Sequence, residues 1–152
     1  MATGSSRKAG LANVEAEKAR WLGVLDDLVT RVEGWAKEMG WSTRRISVPM
    51  SDSQIGPYTA PALLLQEAAT RIILEPIARS VPGAEGAVDL YIMPAYDDVA
   101  RLFLERGEWI IYPFSLWYPD KTNGSTDENH ETIPLTKASL SRVLLKMMSN
   151  VE

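Results

Sequence analysis

The chemistry available to the middle of this chain is limited by the residue types that it lacks. Between Lys37 and Lys121 there is no lysine, histidine or cysteine. A Schiff-base lysine, a thiolate nucleophile, an imidazole base and a zinc site with thiolate or imidazole ligands each need one of those residues. Any chemistry in this span must therefore use carboxylates, arginines, hydroxyl groups or the backbone.

Two adjacent aspartates form the pattern that best suits a metal ion. Asp97 and Asp98 lie between two predicted strands, where neighbouring carboxylates can bind one hard cation such as Mg²⁺ or Mn²⁺. Aspartates at such positions more commonly accept hydrogen bonds from turn amides. We therefore expect no cofactor, with Mg²⁺ or Mn²⁺ at Asp97 and Asp98 as the alternative.

A second candidate is a pair of acids on neighbouring strands. Glu75 and Asp89 would face each other as a general acid and a general base if their strands pair in the right register. A shift of one residue would place them on opposite faces of the sheet and remove the site.

A nuclease core of the restriction-enzyme type is a further pattern to test. It needs an aspartate on one strand, which Asp89 could supply, and a lysine two residues after an acid on the next strand. Glu105 is followed by Arg106 and Gly107 instead, which disfavours that chemistry.

Aromatic side chains support a competing, non-catalytic interpretation. Eight of them lie within the last predicted strands and the segment that follows. If one face of the sheet is uncovered, it would expose tyrosine and tryptophan beside acids and arginines, as protein-binding surfaces commonly do. A sheet covered on both faces would bury the same rings, and the sequence leaves both arrangements open. The candidate partner-binding residues are Tyr91, Tyr96, Trp109, Tyr112 and Trp117.

Charge narrows the classes of partner. The chain has a net charge of -4, and residues 51–120 contain ten acids and four arginines, so their local charge is 4 - 10 = -6. An electrostatic field of that sign repels nucleic acid and suits a cation or a basic partner, although dispersed acids often form only a solvated surface. We expect the partner to be another protein or a second copy of this chain, and we expect no nucleic acid.

Two further patterns concern the cellular compartment. No apolar run reaches membrane-spanning length, and the first ten residues lack the apolar segment of a secretion signal. The absence of cysteine removes disulfides and is compatible with the cytoplasm. We therefore expect a cytoplasmic protein that does not contact membranes.

The first predicted element is a long helix. Apolar residues recur every seven positions along it, and Gly40 follows where a helix commonly ends. We predict a helix over residues 11–39, preceded by a disordered tail at 1–10. A helix of this length either projects beyond the sheet or contacts a second copy in a homodimer. The recurring residues are Val14, Trp21, Leu28 and Trp35.

Beyond the helix, alternating apolar and polar residues are typical of strands. Residues 62–79 are ambiguous between one helix and two strands, and we favour two strands joined near 68–70 because several prolines interrupt a helix there. The later strands have short connections, so they predict an antiparallel meander. The predicted segments are an edge strand at 42–50, a loop at 51–61, and strands at 87–93, 99–105 and 108–112.

The C-terminal part combines a polar loop with a short helix. Residues 119–132 contain the only histidine, His130, and are expected to be mobile and solvated. A helix should begin at Thr136 as the N-cap, with Leu135 and Leu140 in contact as a hydrophobic staple.

Together these elements predict a single α+β domain over residues 11–150. Its antiparallel sheet of about five or six strands would pack against a long N-terminal helix and a short C-terminal helix. The leading functional interpretation is a non-catalytic module that binds another protein or itself. The alternative is a divalent-metal-dependent hydrolase or small-molecule-binding domain that uses an acidic cluster around Asp97 and Asp98.

Overall fold

The described elements follow one another as a long helix, seven strands and a short helix. The structure is a computed structural model, and it describes residues 3–113 and 133–149. The helices are α1 (Thr3–Glu38) and α2 (Lys137–Ser149). The strands are β1 (Ser42–Asp52), β2 (Gly56–Glu67), β3 (Thr70–Ala78), β4 (Ala87–Ile92), β5 (Asp97–Glu105), β6 (Glu108–Pro113) and β7 (Ile133–Pro134).

All the described strands belong to one antiparallel sheet whose spatial order is the sequence order. This arrangement confirms the predicted α+β fold and its meander, although the sheet has seven strands rather than five or six. Strand β1 lies at the edge, as predicted. The predicted mobile loop at 119–132 lies outside the described residues.

The prediction of a loop at 51–61 was wrong, because β1 and β2 form a long hairpin there. Their pairing runs without interruption from Ser42↔Gln66 to Asp52↔Gly56. Pro57 and Pro61 suggested a loop, since proline cannot donate a ladder hydrogen bond. In an antiparallel ladder, alternate residues point their N–H groups away from the partner strand. Both prolines occupy such outward positions of β2, so the β1–β2 ladder remains continuous.

Pro61 of β2 and Pro76 of β3 explain why the two strands separate. The two strands pair only from Leu63↔Leu74 to Glu67↔Thr70, around a short turn at residues 68–69. This confirms the two-strand interpretation of 62–79 and its junction. Continuing the register would place Pro61 opposite Pro76, and neither residue has an N–H group to donate. The β2–β3 ladder therefore ends at Leu63.

Helix α1 begins at Thr3, earlier than predicted and inside the segment expected to be a tail. Its C-terminal end agrees with the sequence. Gly40 has φ +89°, and Trp41 N–H donates to the carbonyl of Ala36 at 2.9 Å, as in a Schellman motif. At about 1.5 Å per residue the helix is roughly 54 Å long. None of the described helices combines the length and apolar character needed to cross a membrane.

Both helices pack on one face of the sheet, where a single core forms. Trp21 of α1 is fully buried, and its indole N–H donates to the hydroxyl of Tyr58 at 3.1 Å. Gly86 lies against this ring so closely that a Cβ atom there would come within 2.5 Å of two ring carbons. The other fully buried large side chains in the core include Leu25, Leu28, Leu63, Leu65, Ile72, Leu74, Leu90, Leu102, Ile111, Leu140 and Leu144.

Helix α2 begins as predicted. Thr136 Oγ1 accepts a hydrogen bond from Ser139 N–H at 3.1 Å, and Ser139 Oγ accepts one from Thr136 N–H at 2.8 Å. These reciprocal bonds satisfy two amides at the helix start. Leu135 and Leu140 are both buried, consistent with the predicted staple.

Arg79 joins three elements on the helix side of the molecule. It lies just after β3, is 9% exposed and donates to Glu17 of α1 at 3.1 Å, Asp52 of β1 at 3.1 Å and Gln54 of the hairpin turn at 2.6 Å. The pKa of Glu17 is lowered by hydrogen bonds from Arg20 and Arg79. This cluster, which we call the Arg79 joint, fixes the hairpin tip against α1.

The pKa of Asp52 reflects opposing influences. Burial raises it, whereas hydrogen bonds from Arg79 and from the amides of Gln54 and Ile55 lower it. The net effect is a lowered pKa, so the ionised carboxylate is favoured in the folded state.

Candidate functional site: the open face of the sheet

One face of the sheet has no described helix against it. Side chains alternate between the two faces of a strand, and in β3–β6 one set enters the helix-covered core. The other set points away from the helices and forms what we call the open face. Its main members are Arg71, Ile73, Glu75, Asp89, Tyr91, Val99, Arg101, Phe103, Glu105, Glu108, Ile110 and Tyr112.

Strand register brings four polar residues of the open face into one row. Glu75 pairs with Asp89, Asp89 with Arg101, and Arg101 with Tyr112, across β3 to β6. Neighbouring strands are about 4.8 Å apart, so adjacent members of the row are within side-chain contact. The row therefore joins residues that are far apart in the sequence.

Asp89 and Arg101 form the centre of the row. Asp89 is fully buried, and Arg101 donates from Nε to Asp89 Oδ1 at 2.7 Å and from Nη2 to Oδ2 at 3.0 Å. The hydrogen bonds and the charge of Asp89 outweigh burial and raise the pKa of Arg101. A buried carboxylate needs such a partner, and the arginine keeps 32% of its side chain exposed.

Tyr96 adds a third member from the turn between β4 and β5. Its hydroxyl donates to Asp89 Oδ2 and accepts from Arg101 Nη2 at 3.4 Å. Its ring packs on Tyr91 with a centroid separation of 4.5 Å, yet Tyr96 remains 48% exposed. The hydrogen bond to Asp89 raises the pKa of Tyr96. The turn is thus attached to the sheet through a partly exposed aromatic side chain.

Two further tyrosines each donate to a glutamate. Tyr91 donates to Glu75 at 3.2 Å, and Tyr112 donates to Glu105 at 2.8 Å. Burial and the neighbouring glutamate raise the pKa of each tyrosine. Phe103 packs edge-on against Tyr112 at 5.2 Å.

The structure places the predicted acid pair opposite each other on one face, at Glu75↔Asp89. Both oxygens of Asp89, however, accept hydrogen bonds from Arg101, and one also accepts from Tyr96. A general base needs an accessible oxygen within reach of substrate. Catalysis by Glu75 and Asp89 stays a prediction, and the geometry gives Asp89 the role of holding Arg101 and Tyr96.

The predicted metal ligands lie at the start of β5. Asp98 has φ +50°, while the side chain of Asp97 is outside the described part of the structure. Within the described residues, no three His, Asp or Glu side chains converge so that they could hold a metal ion. The metal site at Asp97 and Asp98 therefore also stays a prediction.

The predicted partner-binding residues do not all reach the open face. Tyr91, Tyr96 and Tyr112 lie on it, but Trp109 alternates to the other side and is buried in the core at 4% exposure. Trp117 is outside the described residues. We therefore leave Trp109 out of the proposed contact surface.

Sequence reasoning missed Arg101, which organises the centre of the face. One signal was available: Arg101 is a charged residue between Ala100 and Leu102, both of which are buried. That alternation assigns Arg101 to the opposite face of β5. Its pairing with Asp89 could not be read from the sequence, because the β4–β5 register is irregular between Leu90 and Ile92.

Comparison with known proteins gives no relative from which a function could be transferred. No family model, curated protein or solved structure matches this chain. The functional argument therefore rests on the geometry of the open face.

Proposed function

We propose that this chain is a non-catalytic protein-binding module whose contact surface is the open face. The observation that supports this proposal most directly is the hydrogen-bonded group of Asp89, Arg101 and Tyr96, in which a fully buried acid holds two partly exposed side chains. Tyrosine and arginine, together with tryptophan, are the residue types most enriched among those that dominate binding energy at interfaces. Side chains already fixed in position lose less conformational entropy on binding.

A purely structural role explains this group less well. Asp89 and Arg101 lie directly opposite each other on strands that their backbones already pair. Buried ion pairs often contribute little net stability compared with apolar side chains of similar size, because desolvation offsets the attraction. Fixing the position of a partly exposed arginine is a use that an apolar pair could not provide.

The charge of the face favours a basic partner over a second copy. No lysine or arginine of the described chain forms an ion pair with Glu75, Glu105 or Glu108. A symmetric contact between two copies would bring the same acidic surfaces together, at an electrostatic cost. We therefore propose a different protein with a basic contact surface.

Site-specific photo-crosslinking tests this proposal. A benzophenone amino acid is placed at Phe103 on the open face and, as the matched control, at Leu145 of α2, which is 64% exposed. We expect Phe103 to crosslink a distinct protein in cells that express the chain naturally, and Leu145 not to do so. Binding of the purified partner should then weaken about tenfold or more on Tyr96→Ala substitution.

Three outcomes would contradict the proposal. Equal crosslinking from Phe103 and Leu145 would show contact without preference for the open face. Crosslinking of the chain only to itself would replace the basic partner with a second copy. An unchanged affinity of the purified partner for the Tyr96→Ala variant would remove the open face as the contact surface.

A further inference from the structure

Two carboxylates of the open face accept a hydrogen bond from a tyrosine and form no ion pair with a lysine or arginine of the described residues. Glu75 accepts from Tyr91 and Glu105 accepts from Tyr112. A neutral phenol leaves the negative charge of its acceptor uncompensated. Asp89 differs, because Arg101 neutralises it. Glu108 lies directly across from Glu105 and adds a further negative charge there. The open face thus has two separate acidic positions, each with one tyrosine–glutamate pair.

Each pair combines an acid with an aromatic ring that a guanidinium group can contact. A guanidinium group donates two parallel hydrogen bonds to a carboxylate and also packs flat on an aromatic ring. The first pair has the rings of Tyr91 and Tyr96 in contact, and the second has those of Phe103 and Tyr112. A cation over an exposed ring is attracted to the negative face of the ring. Lysine has no planar group, so it can neither donate two parallel hydrogen bonds to the carboxylate nor pack flat on the ring.

The sheet fixes the separation of the two glutamates. Glu75 shares a row with Arg101 two strands away, and Glu105 lies four residues farther along β5. With about 4.8 Å between strands and about 3.3 Å per residue along a strand, the two acids are roughly 16 Å apart. An extended chain covers that distance in about five residues.

We propose that the two tyrosine–glutamate pairs bind two arginine side chains, about five residues apart, on an extended segment of the partner. This inference rests on the proposed function and specifies the chemistry that the open face recognises. The Asp89–Arg101 ion pair lies beside the path from Glu75 to Glu105 and carries no net charge. An extended segment that joins the two acidic positions therefore meets uncompensated negative charge at those positions and not between them.

Fluorescence anisotropy with synthetic peptides tests the proposal. The probes are labelled Gly/Ser/Thr peptides with two arginines about two, five or ten residues apart, and the same peptides with citrulline in place of arginine. Citrulline keeps the planar shape but has no charge. We expect the middle spacing to bind most tightly, and the citrulline peptide at that spacing to bind at least about tenfold more weakly.

Matched variants separate recognition from general attraction to an acidic protein. Glu75→Gln with Glu105→Gln removes two charges from the open face, whereas Asp27→Asn with Glu85→Gln removes two from exposed positions elsewhere. We expect the first variant to lose about tenfold or more in affinity, and the second to remain within about twofold of the unchanged chain. Circular dichroism and thermal unfolding confirm that both variants are folded.

The results distinguish failure of this inference from failure of the proposed function. Equal losses in both double variants, or affinities independent of arginine spacing, would overturn the arginine recognition. If the peptides fail while a purified partner still binds through Tyr96, the open face is a contact surface with a different chemistry. If the Tyr96→Ala variant also binds that partner normally, both proposals are wrong.

Discussion

Two arginines, Arg79 and Arg101, each hold a buried or nearly buried carboxylate, but they connect very different parts of the molecule. Arg79 is 9% exposed and bridges α1, the hairpin tip and the end of β3. No backbone ladder joins these three parts to one another. Arg101 is 32% exposed and bridges two strands that already pair through their backbones. The first arginine adds a connection that the fold otherwise lacks, and the second mainly fixes the position of its own exposed group.

This difference separates stability from recognition. Changes at the Arg79 joint should lower the free energy of unfolding without altering the open face. Replacing Asp89 and Arg101 together with apolar side chains should alter binding while leaving stability nearly unchanged. The following predictions test that division, beginning with the largest expected effect.

Arg79→Met should destabilise the protein by about 3 kcal/mol. Removing one partner of a buried ion pair typically costs about 3–5 kcal/mol, and we expect the lower end because Glu17 is 34% exposed. Urea unfolding measures the change. A loss below about 0.5 kcal/mol, as at an ordinary surface site, would contradict the assigned role of the joint.

Gly86→Ala should cost about 2 kcal/mol, because its new methyl group would overlap the fully buried ring of Trp21. Phenylalanine lacks the two ring carbons involved. In a Trp21→Phe background the same glycine substitution should therefore cost much less, which a double-mutant cycle measures. Equal costs in the two backgrounds would show that the ring is not the obstacle.

Acid should weaken the Arg79 joint. The pKa values of Asp52 and Glu17 are lowered in the folded protein from ordinary values of 3.8 and 4.5. Their contribution to stability is therefore present above those ordinary values and is lost as the pH falls through the lower folded-state values. The free energy of unfolding, measured between about pH 6 and pH 2, should show this loss. Its slope against pH should be shallower in Arg79→Met than in the unchanged protein. Identical slopes in both proteins would contradict the coupling.

Replacing Asp89 and Arg101 together should have the smallest effect on stability. Asp89→Leu with Arg101→Met exchanges the ion pair for apolar side chains, and we expect a change within about 1 kcal/mol. Asp89→Leu alone should lower the free energy of unfolding more than the double substitution does, because Arg101 loses its carboxylate partner. The double variant should nevertheless lose affinity for a partner bound at the open face. A large loss of stability in the double variant would make this ion pair structural, like the Arg79 joint.

Local patterns predicted the elements better than they predicted the site. Periodicity and capping indicated α1, the strands after residue 87 and the start of α2, because these features depend on neighbouring residues. The hairpin at 51–61 was missed because the prolines suggested a loop, although only the register reveals which way Pro57 and Pro61 point. Glu75 and Asp89 were identified as candidates, but their common face depended on long-range pairing. The Arg79 joint connects residues as many as 62 positions apart, beyond any local pattern.

The facing prolines at Pro61 and Pro76 have a consequence for amide hydrogen exchange. Because the β2–β3 ladder ends at Leu63, separation of the outer β1–β2 hairpin from the body breaks no backbone hydrogen bond of β3–β5. It breaks only side-chain contacts such as the Arg79 joint and the hydrogen bond between Trp21 and Tyr58. Segments of this kind open as cooperative units with their own free energy. The hairpin tip should therefore exchange its amide protons through sub-global opening, whereas amides of β3–β5 exchange through global unfolding.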